Sequence, residues 1–258
     1  MNKILLLFGL VTTMLTSAQT PLMNANCDIT LTIQGGDGTN GVSVTYNPST
    51  QLYYTVFAGN SLYPIETHSS SGTSIASEEV GFDVRGMWYN PSTKTIQGIS
   101  YDNQGGFELK LNTDGTIKGS VATSFSYGME GQTVATYAEK KKSIMFVEGN
   151  TAYFFKPGKT KSKTLILSPT DMNTTLNTNG PMYTGVKNYE IALFEAETMT
   201  VHLFSASSGK ETGKVVLKSG TCESIEEVPD FFRVSYCNER VFLFDTDSRT
   251  WTGYKLFD

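Results

Sequence analysis

The chain has 258 residues, of which 39% are hydrophobic, 12% aromatic and only 17% charged, with 24 glycines and a formal net charge of −5. That length suffices for one large core. The acidic balance excludes the electrostatic footprint of a nucleic-acid binder, and three cysteines are too few for a disulfide scaffold. Few charges, many aromatics and many glycines suit short strands joined by tight turns.

Met1 to Ala18 reads as a secretory signal. Lys3 supplies the positive start, Ile4 to Leu15 the apolar run, and Thr16, Ser17 and Ala18 the small residues a signal peptidase accepts before Gln19. No second long apolar run follows, so no membrane span is expected. A secreted or periplasmic protein with a single domain over residues 19–258 is the expectation. In an oxidising compartment one pair among Cys27, Cys222 and Cys237 can bond and leave an odd thiol.

Asp28 to Ile33 alternates Ile29, Leu31 and Ile33 with polar residues, the period of a half-buried strand. Then comes a repeat. Tyr46-Asn47-Pro48-Ser49-Thr50 recurs 43 residues later as Tyr89-Asn90-Pro91-Ser92-Thr93. Each copy opens a four-strand meander: Val42–Tyr46, Gln51–Phe57, Leu62–Thr67 and Thr73–Val80, then Met87–Tyr89, Thr95–Tyr101, Phe107–Leu111 and Ile117–Ala122. A third meander covers Thr133–Tyr137, Ser143–Val147, Ala152–Phe155 and Thr164–Leu167. A fourth covers Met182–Thr184, Glu190–Phe194, Thr200–Phe204 and Lys214–Leu217. The last has only Arg233–Tyr236, Arg240–Phe244 and Trp251–Leu256. Its missing strand is expected to be Asp28–Ile33.

A four-strand unit at this period favours a β-propeller over a β-sandwich. The expectation is an all-β fold of about five four-stranded blades, closed by pairing of the N-terminal strand with the C-terminal blade. A rival count makes Thr221–Ile225 the inner strand of the last blade. That count would bring Cys222 opposite Cys237, whereas the preferred one predicts neither a Cys222–Cys237 nor a Cys27–Cys237 bond.

The Asn-Pro-Ser-Thr turns, the Leu52-Tyr53-Tyr54 strand and the Gly59-Asn60 turn resemble secreted propeller repeats of the YVTN/NHL type. Ser207-Ser208-Gly209 resembles their outer turn, while Lys140-Lys141-Lys142 and Cys237-Asn238 depart from the pattern. The resemblance implies the architecture. It assigns no activity, because that fold type hosts binding modules, scaffolds and enzymes.

A propeller's channel mouth is lined by residues just before each innermost strand. Four polar–glycine pairs fall there: Asn40-Gly41, Arg85-Gly86, Glu130-Gly131 and Asn179-Gly180. Asn40, Arg85, Glu130 and Asn179, with Asp83 nearby, are therefore the candidate ligand-binding residues, and their amides, cation and carboxylates suit a polar ligand, glycan or protein. A plainer reading gives each glycine a positive-φ turn and its neighbour solvent. Trp88 offers a stacking face or a core ring.

No catalytic residue is assigned. His68 falls in a segment expected to be an exposed loop, His202 on a strand face, and no nucleophile elbow or metalloprotease motif is present. No cofactor or metal is expected, since Asp245 with Asp247 and Asp114-Gly115 are only fragments of calcium loops. The leading function is a non-enzymatic secreted binder. The alternatives are a carbohydrate-active hydrolase or lyase using Asp83 and Glu130, and a structural surface or matrix component. The lysines of the third unit (140–142, 156, 159, 161 and 163) suggest either a solvated rim or an anionic partner.

Overall fold

The structure is a computed structural model that describes residues 22–101, 105–123, 131–156, 159, 162–220, 222 and 232–257. Among these the fold is all-β. The expected signal segment and Glu130 lie outside the described residues, as does most of the rival inner strand at residues 221–225.

Strand β1 (Leu22–Thr32) is followed by four antiparallel meanders. The first is β2 (Gly41–Asn47), β3 (Leu52–Phe57), β4 (Pro64–His68) and β5 (Ser74–Glu79). The second is β6 (Val84–Asn90), β7 (Thr95–Ser100), β8 (Gly106–Leu111) and β9 (Ile117–Thr123). The third is β10 (Thr136–Ala138), β11 (Ser143–Glu148), β12 (Thr151–Phe155) and β13 (Ser162–Ile166). The fourth is β14 (Asn177–Tyr183), β15 (Ile191–Glu195), β16 (Thr200–Phe204) and β17 (Glu211–Lys218). A last group holds β18 (Val234–Cys237), β19 (Arg240–Asp245) and β20 (Thr250–Lys255).

The repeated turn motif does the same work twice. Asn47 Oδ1 accepts the Ser49 amide at 3.0 Å, and Asn90 Oδ1 accepts that of Ser92 at 3.0 Å. Each side chain thus mimics a backbone turn. The residue before the second strand is left-handed in both, Gln51 at φ 57° and Lys94 at φ 56°. Lys142 (φ 48°) and Glu239 (φ 62°) hold the same place in the third and last units, where the sequence departs from Asn-Pro-Ser-Thr.

Strand β1 does two jobs. From Cys27 to Thr32 it pairs antiparallel with β20, supplying the last group with a fourth strand. From Leu22 to Asn26 it pairs parallel with β17, which joins the last two units into one eight-stranded sheet. It starts six residues earlier than its alternation indicates, because the parallel half packs against a neighbouring unit as well. A Cys27–Cys222 disulfide (Cα–Cα 5.9 Å) sits where the two pairings meet, and Cys237 carries the remaining thiol.

The first strand of each unit packs against that of the next: β2 on β6, β6 on β10, β10 on β14, β14 on β18, and β18 on β2. The core is correspondingly divided. Tyr54 and Ile65 meet Val84 and Phe107 between the first and second units. Trp88 meets Ile144 and Phe155 between the second and third, and Met145 and Phe154 meet Leu193 and Phe204 between the third and fourth. Phe194 and Val201 meet Val241 and Leu243 in the next cluster, and Phe242, Phe244 and Trp251 meet Val44 and Tyr53 of the first unit in the last. Successive residues of one strand face different neighbours, as strand geometry requires. Ile144 and Phe146 point to the second unit, Met145 and Val147 to the fourth. Both faces are therefore apolar, and the strands read as continuous hydrophobic runs.

Candidate functional site

Two of the predicted residues meet at the N-terminal end of β6. Asp83, just before β6, and Arg85, within it, form a bidentate ion pair: Arg85 Nη1 donates to Asp83 Oδ1 and Nη2 to Oδ2, the latter at 3.2 Å. Asp83 Oδ1 also accepts the Gly59 amide at 2.7 Å, which ties the second unit to the first. Arg85 Nη1 reaches the Val84 carbonyl at 2.9 Å, while Nε is buried with no hydrogen-bond partner among the described residues.

Arg85 is thus not the solvated rim side chain its position suggested. It is 3% exposed. Its Cζ lies 4.8 Å from the Tyr101 ring centroid and 5.7 Å from that of Phe232. Arg85 is embedded because Phe232, in the connection before β18, turns into the cluster of Val42, Val84 and Val134 at this end of the fold. Phe232 and Arg233 both hold left-handed φ values, 51° and 46°, and the Arg233 amide bonds the Gly41 carbonyl at 2.8 Å. Two consecutive non-glycine residues in that region cost of order 1–3 kcal/mol each and persist where surroundings over-determine them.

Asn40 is exposed, and its carbonyl accepts the Ala58 amide at 2.8 Å, one residue from the Gly59 that holds Asp83. Asn179 is half-buried and its amide is capped by Asn177 Oδ1 at 2.9 Å. It is Asn177, itself buried, that reaches inward, with Nδ2 3.5 Å from the Phe232 carbonyl. Sequence reasoning missed Asn177, Tyr101 and Phe232. The signal for Asn177 was an Asn two residues before a flagged Asn, and Phe232 carried none.

Glycine has a different reason here from the expected turn. Gly41, Gly86 and Gly180 lie within first strands. A Cβ on Gly86 would stand 2.0 Å from the Ala135 carbonyl oxygen, and one on Gly180 2.8 Å from Val234 Cβ. The missing side chain permits neighbouring units to approach.

Both histidines are buried within strands, which corrects the exposed loop expected for His68. His68 Nε2 shares a 2.9 Å hydrogen bond with Thr55 Oγ1 and lies 3.7 Å from Glu66 Oε2. Burial pushes its pKa down to about 4, so it is neutral. Hydroxyl, imidazole and carboxylate do not make a triad, because Glu66 meets the same nitrogen as the hydroxyl and, among the described residues, no carboxylate orients the other. Glu66 instead anchors the β1–β2 connection by accepting the amides of Gln34 (2.8 Å) and Gly35 (2.6 Å).

His202 lies between Glu211 Oε1 (2.7 Å from Nδ1) and Glu195 Oε2 (3.4 Å from Nε2). Burial by itself would raise Glu211, but hydrogen bonds from His202 and Thr170 outweigh it and hold the carboxyl down to about 2. The two calcium-loop fragments serve turns. Asp245 Oδ1 accepts the amide and hydroxyl of Ser248 at 2.8 Å each, and Asp114 Oδ1 those of Thr116 at 2.9 and 2.7 Å. Among the described residues no group of three or more His, Cys, Asp or Glu is placed to hold a metal. Trp88 stacks on Tyr137 at 5.6 Å within the core.

No family model matches the chain, and no curated protein matches it. Solved structures do. The chain is similar to the glutaminyl cyclase of Myxococcus xanthus, with a TM-score of 0.54 and 10% identity over 90% of this chain and 97% of that one. It is also similar to a protein of unknown function from Bacteroides caccae (TM-score 0.43, 14% identity, 83% and 73% covered). A functionally unknown protein from Desulfotomaculum acetoxidans DSM 771 matches at a TM-score of 0.41 and 16% identity, with 86% and 73% covered. At such identities the first likeness speaks for the all-β fold and not for an activity.

Proposed function

We propose that the chain is a secreted five-bladed β-propeller that binds a polar ligand, a glycan or a protein segment, at the mouth formed by the N-terminal ends of its innermost strands, without catalysis. The blade count is supported by the cyclic packing of β2, β6, β10, β14 and β18 and by the fourth strand that β1 gives the last group. The disulfide suits an oxidising compartment.

The observation that carries the binding reading is the Arg85 site. A guanidinium is fixed between two aromatic rings and a carboxylate, with one buried N–H unpartnered among the described residues. Leaving such a donor unsatisfied costs about 1–3 kcal/mol, a cost that supports a functional rather than a purely packing role for this position. The proposed rim consists of Asn40, Tyr101 and Asn179, which are exposed or half-buried. A rigid charged floor under a polar, partly aromatic rim fits recognition of sugar hydroxyls or peptide amides.

The hydrolase alternative is weakened by Asp83, whose two carboxylate oxygens are both committed to Arg85. A general acid needs a proton on a carboxyl free to reach the leaving group. Glycan-array screening followed by calorimetry tests the proposal. Tyr101→Ala and Asn179→Ala are expected to weaken binding at least tenfold while melting as the parent does. Unchanged affinity in both variants, or turnover that Asp83→Asn abolishes, overturns it.

A further inference from the structure

The third unit carries a charge opposite to that of the whole chain. From Thr136 to Leu167 there are seven lysines and two glutamates, a net of +5 in a chain of −5. The fold gathers most of them at one end of one sheet. Lys140, Lys141 and Lys142 directly precede β11, and Lys156 follows β12, whose last residue Phe155 pairs with Ile144 of β11. Lys159 closes the same turn, its amide donating to the Lys156 carbonyl at 3.0 Å. Lys163 is the second residue of β13, opposite Phe154.

Among the described lysines of this unit, only Lys141 is engaged locally. Its Nζ donates to the Ala206 carbonyl at 3.1 Å and stands 4.8 Å over the Phe154 ring. Lys140, Lys142, Lys156, Lys159 and Lys163 are exposed, and no ion pair among the described residues uses them. Glu139 is the one acid in the 139–142 turn, and Glu148 ends β11 at its other end. Packing does not require five like charges on adjacent turns, and holding them together costs mutual repulsion.

We propose that this end of the third unit is a docking surface for an acidic polysaccharide. The surface is distinct from the Arg85 mouth: it adjoins the C-terminal end of β10, whereas Arg85 lies near the N-terminal end of β6. The lysines span three neighbouring strands about 4.8 Å apart, so a polymer with a carboxylate on each sugar meets several at once. Half-buried Tyr153, stacked on Phe146 at 4.8 Å, adds an amphipathic ring to the same strands. A membrane surface is the poorer partner. Among the described residues, the exposed large apolar side chains lie outside these two turns, Ile166 of the same unit being at the opposite end of its sheet, and interfacial binding relies on apolar anchors as well as charge.

The test is affinity electrophoresis of the full chain in polygalacturonate, with neutral dextran and phosphatidylglycerol vesicles in parallel. Retention by polygalacturonate alone is expected, fading as salt rises to about 0.5 M. The triple variant K140Q/K156Q/K159Q is expected to bind about a hundredfold more weakly, at about fivefold for each lysine facing an anionic surface. The triple variant K94Q/K110Q/K118Q, with the same charge change on exposed lysines of the second unit, is expected to lose less than about threefold. Three results overturn the proposal: no retention by the polymer, equal loss in the two triple variants, or binding to vesicles but not to polygalacturonate.

Discussion

Replacing the Cys27–Cys222 pair by alanines is expected to remove the largest single constraint on the unfolded chain. The bond spans 195 residues. In the chain-entropy treatment, a closed loop of that length lowers the entropy of the denatured ensemble by about 18 cal/mol/K, or about 5 kcal/mol at 25 °C. For a fold of this size each kcal/mol moves the midpoint by about 2–4 °C, so C27A/C222A should melt about 10–20 °C lower. The cross-link also holds the point where β1 passes from parallel pairing with β17 to antiparallel pairing with β20. Its loss should therefore free Leu22–Asn26 first. Thermal melts by near-UV circular dichroism, on parent, reduced parent and double variant, measure the effect. The reduced parent separates the cross-link from the packing of buried Cys27. Non-reducing peptide mass spectrometry checks the connectivity. A drop of less than about 1 kcal/mol in both would refute the entropic reasoning, and a Cys222–Cys237 cross-link would overturn the strand count itself.

Gly86→Ala should destabilise by about 3 kcal/mol or prevent folding, because a Cβ would stand 2.0 Å from the Ala135 carbonyl oxygen. Gly119→Ala, at nearly the same φ (159° against 157°) but with nothing within 4 Å, is the control, and equal losses in urea melts would show that conformation, not approach, is at issue. Acid should unfold the protein in two stages. His68, lowered to about 4 from an ordinary 6.5, favours the fold fully above the higher value and loses that contribution as pH falls through the interval. Glu211, lowered to about 2 from an ordinary 4.5, does the same between those values. His68→Gln should flatten the first stage of stability against pH and Glu211→Gln the second; unchanged slopes would count against either assignment. Deleting residues 27–34 should expose the edge of β20 and produce aggregation or non-cooperative unfolding, whereas a monomer with parental melting would show that β1 is dispensable.

Local chemistry explains which parts of this fold were legible. The Asn-Pro-Ser-Thr turns are built from contacts two residues apart, so their positions, and the strands on either side, could be read directly. Asp28–Ile33 was legible because its alternating residues face one buried side and one exposed side along the antiparallel half of β1. Leu22–Asn26 was not, since its inward residues are only Met23 and Ala25, set between asparagines that are depleted in strands. His68 looked like an exposed loop residue because a histidine beside a run of serines gives no local sign of burial; its imidazole is covered within the first unit, against Thr55 on the neighbouring strand, while the carboxylate beside it, Glu66, is met by the amides of Gln34 and Gly35 from outside that unit.

The same distinction governs the site. The repeat position singled out Asp83 and Arg85, and the two side chains pair with each other at the start of β6. Whether a side chain at that end points to solvent depends on what the connections do, and a connection's path is set by several units at once. Phe232 takes a left-handed backbone and fills the space among Val42, Val84 and Val134. That placement turns Arg85 from a rim cation into a buried floor. A rim cation would bind by charge alone and lose affinity in salt. A guanidinium fixed by Asp83 and two rings is neutralised and preorganised, so a mouth built over it would bind by directional hydrogen bonding that salt screens much less. The two surfaces of this protein therefore make opposite predictions in one titration: binding at the mouth should persist in about 0.5 M salt, while binding at the lysines of the third unit should be lost.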